Sequence, residues 1–318
     1  MYYQFADLLL RSDLPLAELP VARPGLAECR VHSGPSEDRT AFEDRWDHHW
    51  RSPEGGISLS CARDGDAYRI GMTGLGTFLV EDGGEAITCP AVETLPGGTL
   101  EHLLLDQVLP RVLAHRGRLV LHAGCVVTPA GAIGFLGDSG AGKSTLCASF
   151  SRAGFPLMGD DGVVVRETAP TGFEVLATYP GLRLLPDALG PLFDGEPGDT
   201  PVAHYSAKRR LDRNHAELSL AAGPRPLRAL YLLDAGLKIG IQPVGRRAAF
   251  MALLGAAFQL HLDDRDRSRE LFERVSALSD AVPMRRLSYP RSFSQLDAVR
   301  DALLADAAEL PPLARAGG

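Results

Sequence analysis

The sequence has little that would mark a nucleic-acid-binding or membrane-spanning protein. Acidic residues outnumber basic ones by 40 to 33, and the formal net charge of -7 argues against nucleic acid or an anionic membrane as a partner. Residues 119–137 carry no formal charge but contain His122, Pro129 and several glycines. This stretch therefore predicts two buried strands joined by a turn, and no membrane span.

Cysteines are also few, and they show no C-x-x-C pair. Their odd number favours a reduced, cytoplasmic protein over a disulfide framework; they are Cys29, Cys61, Cys89, Cys125 and Cys147. The N-terminal residues 1–7 have no basic segment, so we expect no signal peptide. The chain has 318 residues, of which 45% are hydrophobic, so it can form one large or two ordinary domains with a full core.

A glycine-rich loop between an apolar run and a helical pattern carries the clearest chemical motif. It matches G-x-x-x-x-G-K-[ST], and the residues expected to bind the cofactor are Gly137, Asp138, Ser139, Gly140, Ala141, Gly142, Lys143, Ser144 and Thr145. The preceding run 132–136 predicts a buried strand, and the spacing of Leu146 and Phe150 predicts a helix. Backbone N–H groups of such a loop surround a phosphate, Lys143 reaches the β- and γ-phosphates, and the Ser144 hydroxyl holds Mg²⁺. The pattern predicts a nucleotide phosphate site, and a plain structural turn is the alternative.

Charged residues after this loop are further candidates. Asp160 and Asp161 end an apolar segment, where nucleotide enzymes keep carboxylates that bind metal or orient a hydroxyl; a turn stabilised by Asp side chains is the alternative. Residues 194–204, rich in glycine and proline, predict a mobile loop that closes over substrates. Lys208 and Arg209 follow this loop and form either a phosphate clamp or a solvated face.

We expect a β-rich N-terminal domain at residues 1–97, with a role in substrate or leader recognition, and a catalytic domain at 98–318. His48 and His49 suggest a metal site, but adjacent histidines point in different directions and no second group of ligands is apparent. We therefore expect a solvated loop or a partner surface there. Periodicity predicts further elements: strands at 57–61, 68–72, 77–80, 86–89, 163–165, 174–179, 227–233, 238–242 and 284–289, and helices at 100–115, 248–262, 268–278 and 294–307.

Residues 119–162 resemble the bacterial HPr kinase/phosphorylases and their shorter HPr-kinase-like relatives in peptide-modification gene clusters. The resemblance rests on His122 one strand-turn-strand unit before the glycine-rich loop, on the loop itself, and on the acidic pair after a short helix. It implies an α/β fold, with a P-loop kinase domain of the HPr kinase (PEP carboxykinase-like) type and a smaller β-rich domain. It also implies that Asp160 is the general base for a serine hydroxyl, that His122 lies beside it, and that Asp161 and Ser144 hold Mg²⁺.

One difference from the family's sequence pattern restricts the activity and the partner that we expect. The Glu-x-Arg-Gly signature of the bifunctional enzymes is missing from the matching stretch 178–181, which argues against phosphorylase activity and against HPr as the partner. Residues 103–110 and 118–122 look like the HPr-kinase-like group, which includes kinases for a serine near the C-terminus of lasso-peptide precursors. The resemblance thus implies an ATP- and Mg²⁺-dependent serine kinase acting on a precursor peptide or protein, with GTP as the alternative nucleotide.

Two other functions stay open at this point. One is an HPr(Ser) kinase that regulates carbon metabolism, and the other is a nucleotide-binding or ATPase module without a peptide acceptor. The larger family forms hexamers, so the resemblance also implies a homo-oligomer.

Overall fold

A computed structural model of the chain describes residues 1–34, 45–52, 55–81, 83–91, 95, 98–168, 172–193, 201–212 and 218–311. These residues form two compact units. The first unit comprises Met1–Arg118, Val202–Ser206 and Phe258–Glu270, and the second comprises Leu119–Pro201, Ala207–Ala257 and Leu271–Gly318. The domain boundary expected at residue 97 falls outside the described residues and stays a prediction, but the helices that follow it group with the first unit.

The first unit contains an eight-stranded sheet. Its strands are β1 (Tyr2–Phe5), β2 (Leu8–Ser12), β3 (Cys29–Ser33), β4 (His48–Arg51), β5 (Ile57–Asp64), β6 (Ala67–Met72), β7 (Gly76–Glu81) and β8 (Ala86–Cys89). The order is β1-β2-β3-β8-β7-β6-β5-β4, and only the β2–β3 and β3–β8 pairs are parallel. Strands β7 and β8 are consecutive in sequence and antiparallel, and residue 82 between them lies outside the described residues.

Strand β4 corrects one expectation. The loop predicted around His48 and His49 is wrong, because these residues form an edge strand that pairs with β5. His48 lies opposite Cys61 and His49 opposite Ser60 in this ladder. The partner strand β5 follows directly in sequence, but the short polar run of β4 does not by itself indicate a strand.

The first unit also holds a helical segment with an irregular middle. It consists of α1 (Thr99–Leu103), a π-helical turn (Leu104–Val108) and α2 (Leu109–His115). Pro110 lies in the first turn of α2, where its missing N–H removes one bond from the helix ladder. A π-helical turn directly precedes α2, so the single helix expected at 100–115 is irregular in its middle.

The second unit is built on a nine-stranded mixed sheet. Its strands are β9 (Leu119–Leu121), β10 (Gly124–Thr128), β11 (Gly131–Leu136), β12 (Leu157–Gly159), β13 (Val163–Thr168), β14 (Gly172–Ala177), β17 (Arg225–Ala235), β18 (Gly240–Pro243) and β19 (Met284–Tyr289). The order is β12-β10-β11-β17-β14-β13-β9, with β19 paired to β17 and to β18. A separate two-stranded sheet joins β15 (Gly181–Leu184) to β16 (Arg209–Asp212).

The helices of the second unit cover the large sheet. They are α3 (Lys143–Arg152), α4 (Pro186–Leu192), α5 (Arg246–Ala256), α6 (Arg265–Ala281, from residue 271 onward) and α7 (Leu296–Glu309, after a 3-10 turn at Phe293–Gln295). Alternation along β11 supplies two cores: Ile133 and Phe135 pack with α3, α4 and α7, whereas Ala132 and Leu136 pack with α5 and α6. The architecture is mixed α/β.

Helix α5 is shorter than predicted. It ends at Ala256 instead of residue 262, because Ala257 takes an extended conformation and forms an isolated bridge with Leu121. Residues 258–264 therefore continue as irregular chain before α6.

None of the helices formed by the described residues is long and apolar enough to cross a lipid bilayer. All five cysteines are free and buried. Burial raises the pKa of Cys29, Cys61 and Cys89 to about 12, which makes these thiols poor nucleophiles near neutral pH.

Candidate functional site

The glycine loop, residues 137–142, connects the end of β11 to the start of α3. Gly140 and Gly142 have φ angles of 76° and 100°, a region that favours glycine. A Cβ atom at Gly142 would lie 2.5 Å from the Tyr289 hydroxyl oxygen, and one at Gly137 would lie 3.0 Å from the Ala141 Cβ. Backbone conformation and close packing therefore both require glycine in this loop.

The last residue of β19 and a residue just after it support the loop from the side. The Tyr289 hydroxyl donates to the Ala141 carbonyl oxygen at 3.3 Å, and Arg291 Nη1 donates to the Gly140 carbonyl oxygen at 3.2 Å. Strands β11, β17 and β19 are parallel, so their carboxyl ends meet at one edge of the sheet. The sequence analysis did not identify Tyr289 and Arg291. Ligand sites at the carboxyl ends of parallel strands can be located only once the order of the strands is known.

Lys143 is buried at the first position of α3 and turns back toward the loop. Its Nζ donates to the carbonyl oxygens of Gly137 at 2.7 Å and Asp138 at 3.1 Å. Burial lowers the pKa of Lys143, while the carboxylates of Asp161 and Asp160 oppose that shift. The expected cofactor-binding lysine is therefore in the same loop-helix junction as the glycines.

Asp160 is the most enclosed acid of this site, with only 1% of its surface exposed. Its Oδ2 accepts a hydrogen bond from the Arg183 backbone N–H at 2.9 Å, whereas the buried Oδ1 has no hydrogen-bond partner among the described residues. Burial and the Asp161 charge raise the pKa of Asp160 to about 7, although Lys208, the Arg183 N–H and the nearby Ser144 hydroxyl lower it. A carboxyl group with a pKa near neutrality is well suited to accept a proton.

Asp161 faces basic side chains. Its Oδ2 is 3.8 Å from Lys208 Nζ and 4.0 Å from Arg183 Nη1. Arg183 is itself buried, donates to the Tyr179 hydroxyl at 2.8 Å, and stacks 4.6 Å from the centroid of that ring. Sequence reasoning missed Arg183: the stretch 178–181 has no arginine, but β15 brings one to the acidic pair two residues later.

The remaining predicted residues lie around this pair. His122 Nδ1 donates to the Asp161 backbone carbonyl at 2.9 Å, and burial lowers the pKa of His122, so its ring is neutral at pH 7. Its expected effect on Asp160 stays a prediction. Lys208 contacts the site by its ion pair with Asp161. Arg209 is the first residue of β16 and pairs with Leu184 of β15. Residues 194–200 of the expected mobile loop lie outside the described residues.

Comparisons with known proteins add little. No family model matches the chain, and no curated protein matches it. One similar solved structure is the HPr(Ser) kinase/phosphatase from Coxiella burnetii, with 10% identity and a TM-score of 0.31 over 59% of this chain and 97% of the other. A similarity this low carries no argument about fold or activity.

The raised pKa of Asp160 predicts a pH-dependent stability. Its value of about 7 lies above the ordinary 3.8, so between these pH values the folded chain holds a proton that the unfolded chain has released. The free energy of unfolding therefore falls as pH rises through this window. At about pH 8 we expect Asp160→Asn to raise that free energy by up to about 4 kcal/mol, and the gain should shrink by more than half at about pH 5.

Urea denaturation of both proteins at the two pH values measures this difference. Asp187→Asn is the matched control, because it makes the same chemical change at an exposed position at the start of α4. An Asp160→Asn protein no more stable than the wild type at the higher pH would contradict the assignment of a buried, raised-pKa carboxyl group.

Proposed function

We propose that this chain is a phosphotransferase that moves the γ-phosphate of ATP to a serine of a peptide or protein. The observation that carries the proposal is the Asp160 carboxyl group, which is buried, has a pKa near neutrality, and keeps one oxygen without a hydrogen-bond partner next to Ser144 at the glycine loop. A buried, unpaired carboxylate oxygen is costly to a protein unless a ligand uses it. A hydroxyl group that gives up its proton is such a ligand.

The residues of the loop fit the phosphate end of a nucleotide. The three glycines allow the close backbone approach that a phosphate needs, and the N-terminus of the ten-residue helix α3 adds partial positive charge. Lys143 can exchange its two carbonyl partners for phosphate oxygens. These features fit the phosphates of ATP and of GTP alike; ATP is the donor we propose, with GTP as the alternative.

The donor set near Ser144 fits a hard divalent cation. The hydroxyl of Ser144 and the carboxylate of Asp161 would hold Mg²⁺, which prefers oxygen ligands. Asp161 would then loosen its contacts with Lys208 and Arg183. When bound, Mg²⁺ supplies charge neutralisation on the phosphates.

The chain's own residues would then carry the transfer. Asp160 Oδ1 accepts the hydroxyl proton as the serine oxygen bonds to the γ-phosphorus, and the bond from that phosphorus to the nucleoside diphosphate breaks. Lys143, Lys208 and Arg183, which interact with the acidic pair, would offset negative charge on the transferred group. The neutral His122 holds the backbone of the acidic pair in place through its bond to Asp161.

The acceptor we propose is the C-terminal serine of a lasso-peptide precursor, which rests on the resemblance of the sequence to HPr-kinase-like proteins. Incubation with ATP, Mg²⁺ and such a peptide should add the mass of one phosphate, and the same peptide with alanine for serine should gain none. HPr protein and water serve as competing acceptors in parallel reactions. Phosphate release at the same rate with and without peptide would contradict the kinase and favour an ATPase.

A further inference from the structure

The first unit contains its own cluster of histidines and carboxylates. His48, His261 and Asp263 each offer one ligand atom, and these three atoms lie within 4.8 Å of one another. His48 Nε2 is 3.3 Å from Asp263 Oδ2, and the two imidazole centroids are 5.0 Å apart. Asp47 joins the group, because its Oδ2 is 3.1 Å from His261 Nε2.

Local structure separates His48 from its neighbour. Alternation along β4 sends successive side chains to opposite faces. His49 bonds the Ser60 hydroxyl through Nδ1 at 2.8 Å, whereas His48 faces His261. The expectation that adjacent histidines diverge is therefore correct, but a second group of ligands does exist, in the irregular chain after α5.

The surroundings hold the two imidazoles and leave one side accessible. The side chains of His48 and His261 are 16% and 10% exposed, whereas that of Asp263 is 74% exposed. The ring of Tyr68 lies 5.7 Å from that of His261 and restricts it. Such a site has preset nitrogen ligands and an exposed carboxylate through which an ion can arrive.

Simple pairing of acids with histidines explains the cluster incompletely. His48 Nε2 is buried and makes no hydrogen bond of good geometry among the described residues, although Asp263 Oδ2 is 3.3 Å away. A buried nitrogen without a hydrogen-bond partner calls for a ligand.

We propose that His48, His261 and Asp263 form a zinc site in which Asp47 orients His261 or completes the coordination. Imidazole nitrogen with carboxylate oxygen suits Zn²⁺, and a carboxylate bonded to a ligating histidine is a common supporting group. Bond lengths of about 2.0–2.1 Å place tetrahedral ligand atoms about 3.3 Å apart, so the cluster needs only a modest contraction. The ion ties residues 258–263 to the edge strand β4, within the first unit. This site is independent of the proposed transfer reaction.

Zinc binding by the full-length, tag-free protein tests the proposal. The metal-free protein is titrated with Zn²⁺ against a chelator, with Mg²⁺ in excess so that the oxygen ligands of the second unit are occupied. We expect one equivalent of Zn²⁺, and Co²⁺ in its place should give the visible absorption bands of a low-symmetry nitrogen–oxygen site. His48→Asn and Asp263→Asn should each weaken binding at least about tenfold.

His49→Asn is the matched control, since it makes the same chemical change one residue along the same strand. It should bind Zn²⁺ like the wild type. Thermal unfolding in the presence of a chelator establishes that all variants are folded to the same extent. Less than stoichiometric binding by the wild type, or equal affinities for His48→Asn and His49→Asn, would overturn the site and leave these side chains as ion pairs.

Discussion

Asp160→Asn should nearly abolish phosphate transfer and leave nucleotide binding almost unchanged. The asparagine keeps an oxygen that can accept the hydrogen bond from the Arg183 N–H, so the local structure should persist. It cannot accept the serine proton near neutral pH. Loss of a general base lowers turnover by about 10²–10⁴-fold. In the proposed function the nucleotide is bound by the glycine loop and Lys143, which this substitution does not alter.

Two measurements separate these effects. Turnover is followed as phosphopeptide by mass spectrometry, and binding is followed with a fluorescent nucleotide analogue. Asp187→Asn again serves as control and should keep wild-type turnover. An Asp160→Asn protein that keeps more than about a tenth of the wild-type turnover would remove Asp160 from its assigned role.

Gly142→Ala should weaken nucleotide binding by roughly a hundredfold. The new methyl group meets two obstacles: a φ of 100°, and the Tyr289 hydroxyl oxygen 2.5 Å away. Gly140→Ala is the informative comparison, because Gly140 also has a positive φ, of 76°, but has open space around its Cβ position. We expect that variant to lose about tenfold or less, from backbone strain alone.

A second substitution tests the steric explanation. Tyr289→Phe removes the hydroxyl group that the alanine methyl would strike, so it should restore part of the binding lost in Gly142→Ala. The same Tyr289→Phe substitution should not restore nucleotide binding to Gly140→Ala. Equal losses in the two alanine variants, with no rescue, would show that backbone strain alone governs the loop. Circular dichroism of each variant separates loss of binding from loss of fold.

Local patterns predicted the part of this site that is contiguous in sequence. The apolar run 132–136, the glycines and the spacing of Leu146 and Phe150 predicted a strand, a loop and a helix, and the structure has β11, the loop and α3 in that order. Each of these features depends on near neighbours: side-chain alternation, positive φ and helical periodicity. The nucleotide itself stays a prediction of the motif.

The rest depends on pairings across long stretches of chain. Arg183 reaches Asp161 only because β15 runs beside the acidic pair, and nothing in the run Gly-Leu-Arg-Leu indicates this. Asp47 and His261 are 214 positions apart, and neither lies in a motif. The burial that moves the pKa of Asp160 is likewise a property of the folded core. Contacts between residues far apart in sequence, and the burial that results from them, cannot be predicted from a single sequence.

The resting contacts of Lys143 have a consequence for how tightly a ligand can bind. Its ammonium group already holds two carbonyl oxygens of its own loop, so an arriving phosphate must displace partners instead of filling a vacant position. The favourable energy of binding is thus a difference between two sets of oxygen contacts. Because carbonyls are neutral and phosphates are anionic, that difference grows with the charge of the ligand, and the loop should discriminate among nucleotides by how many negative charges they present.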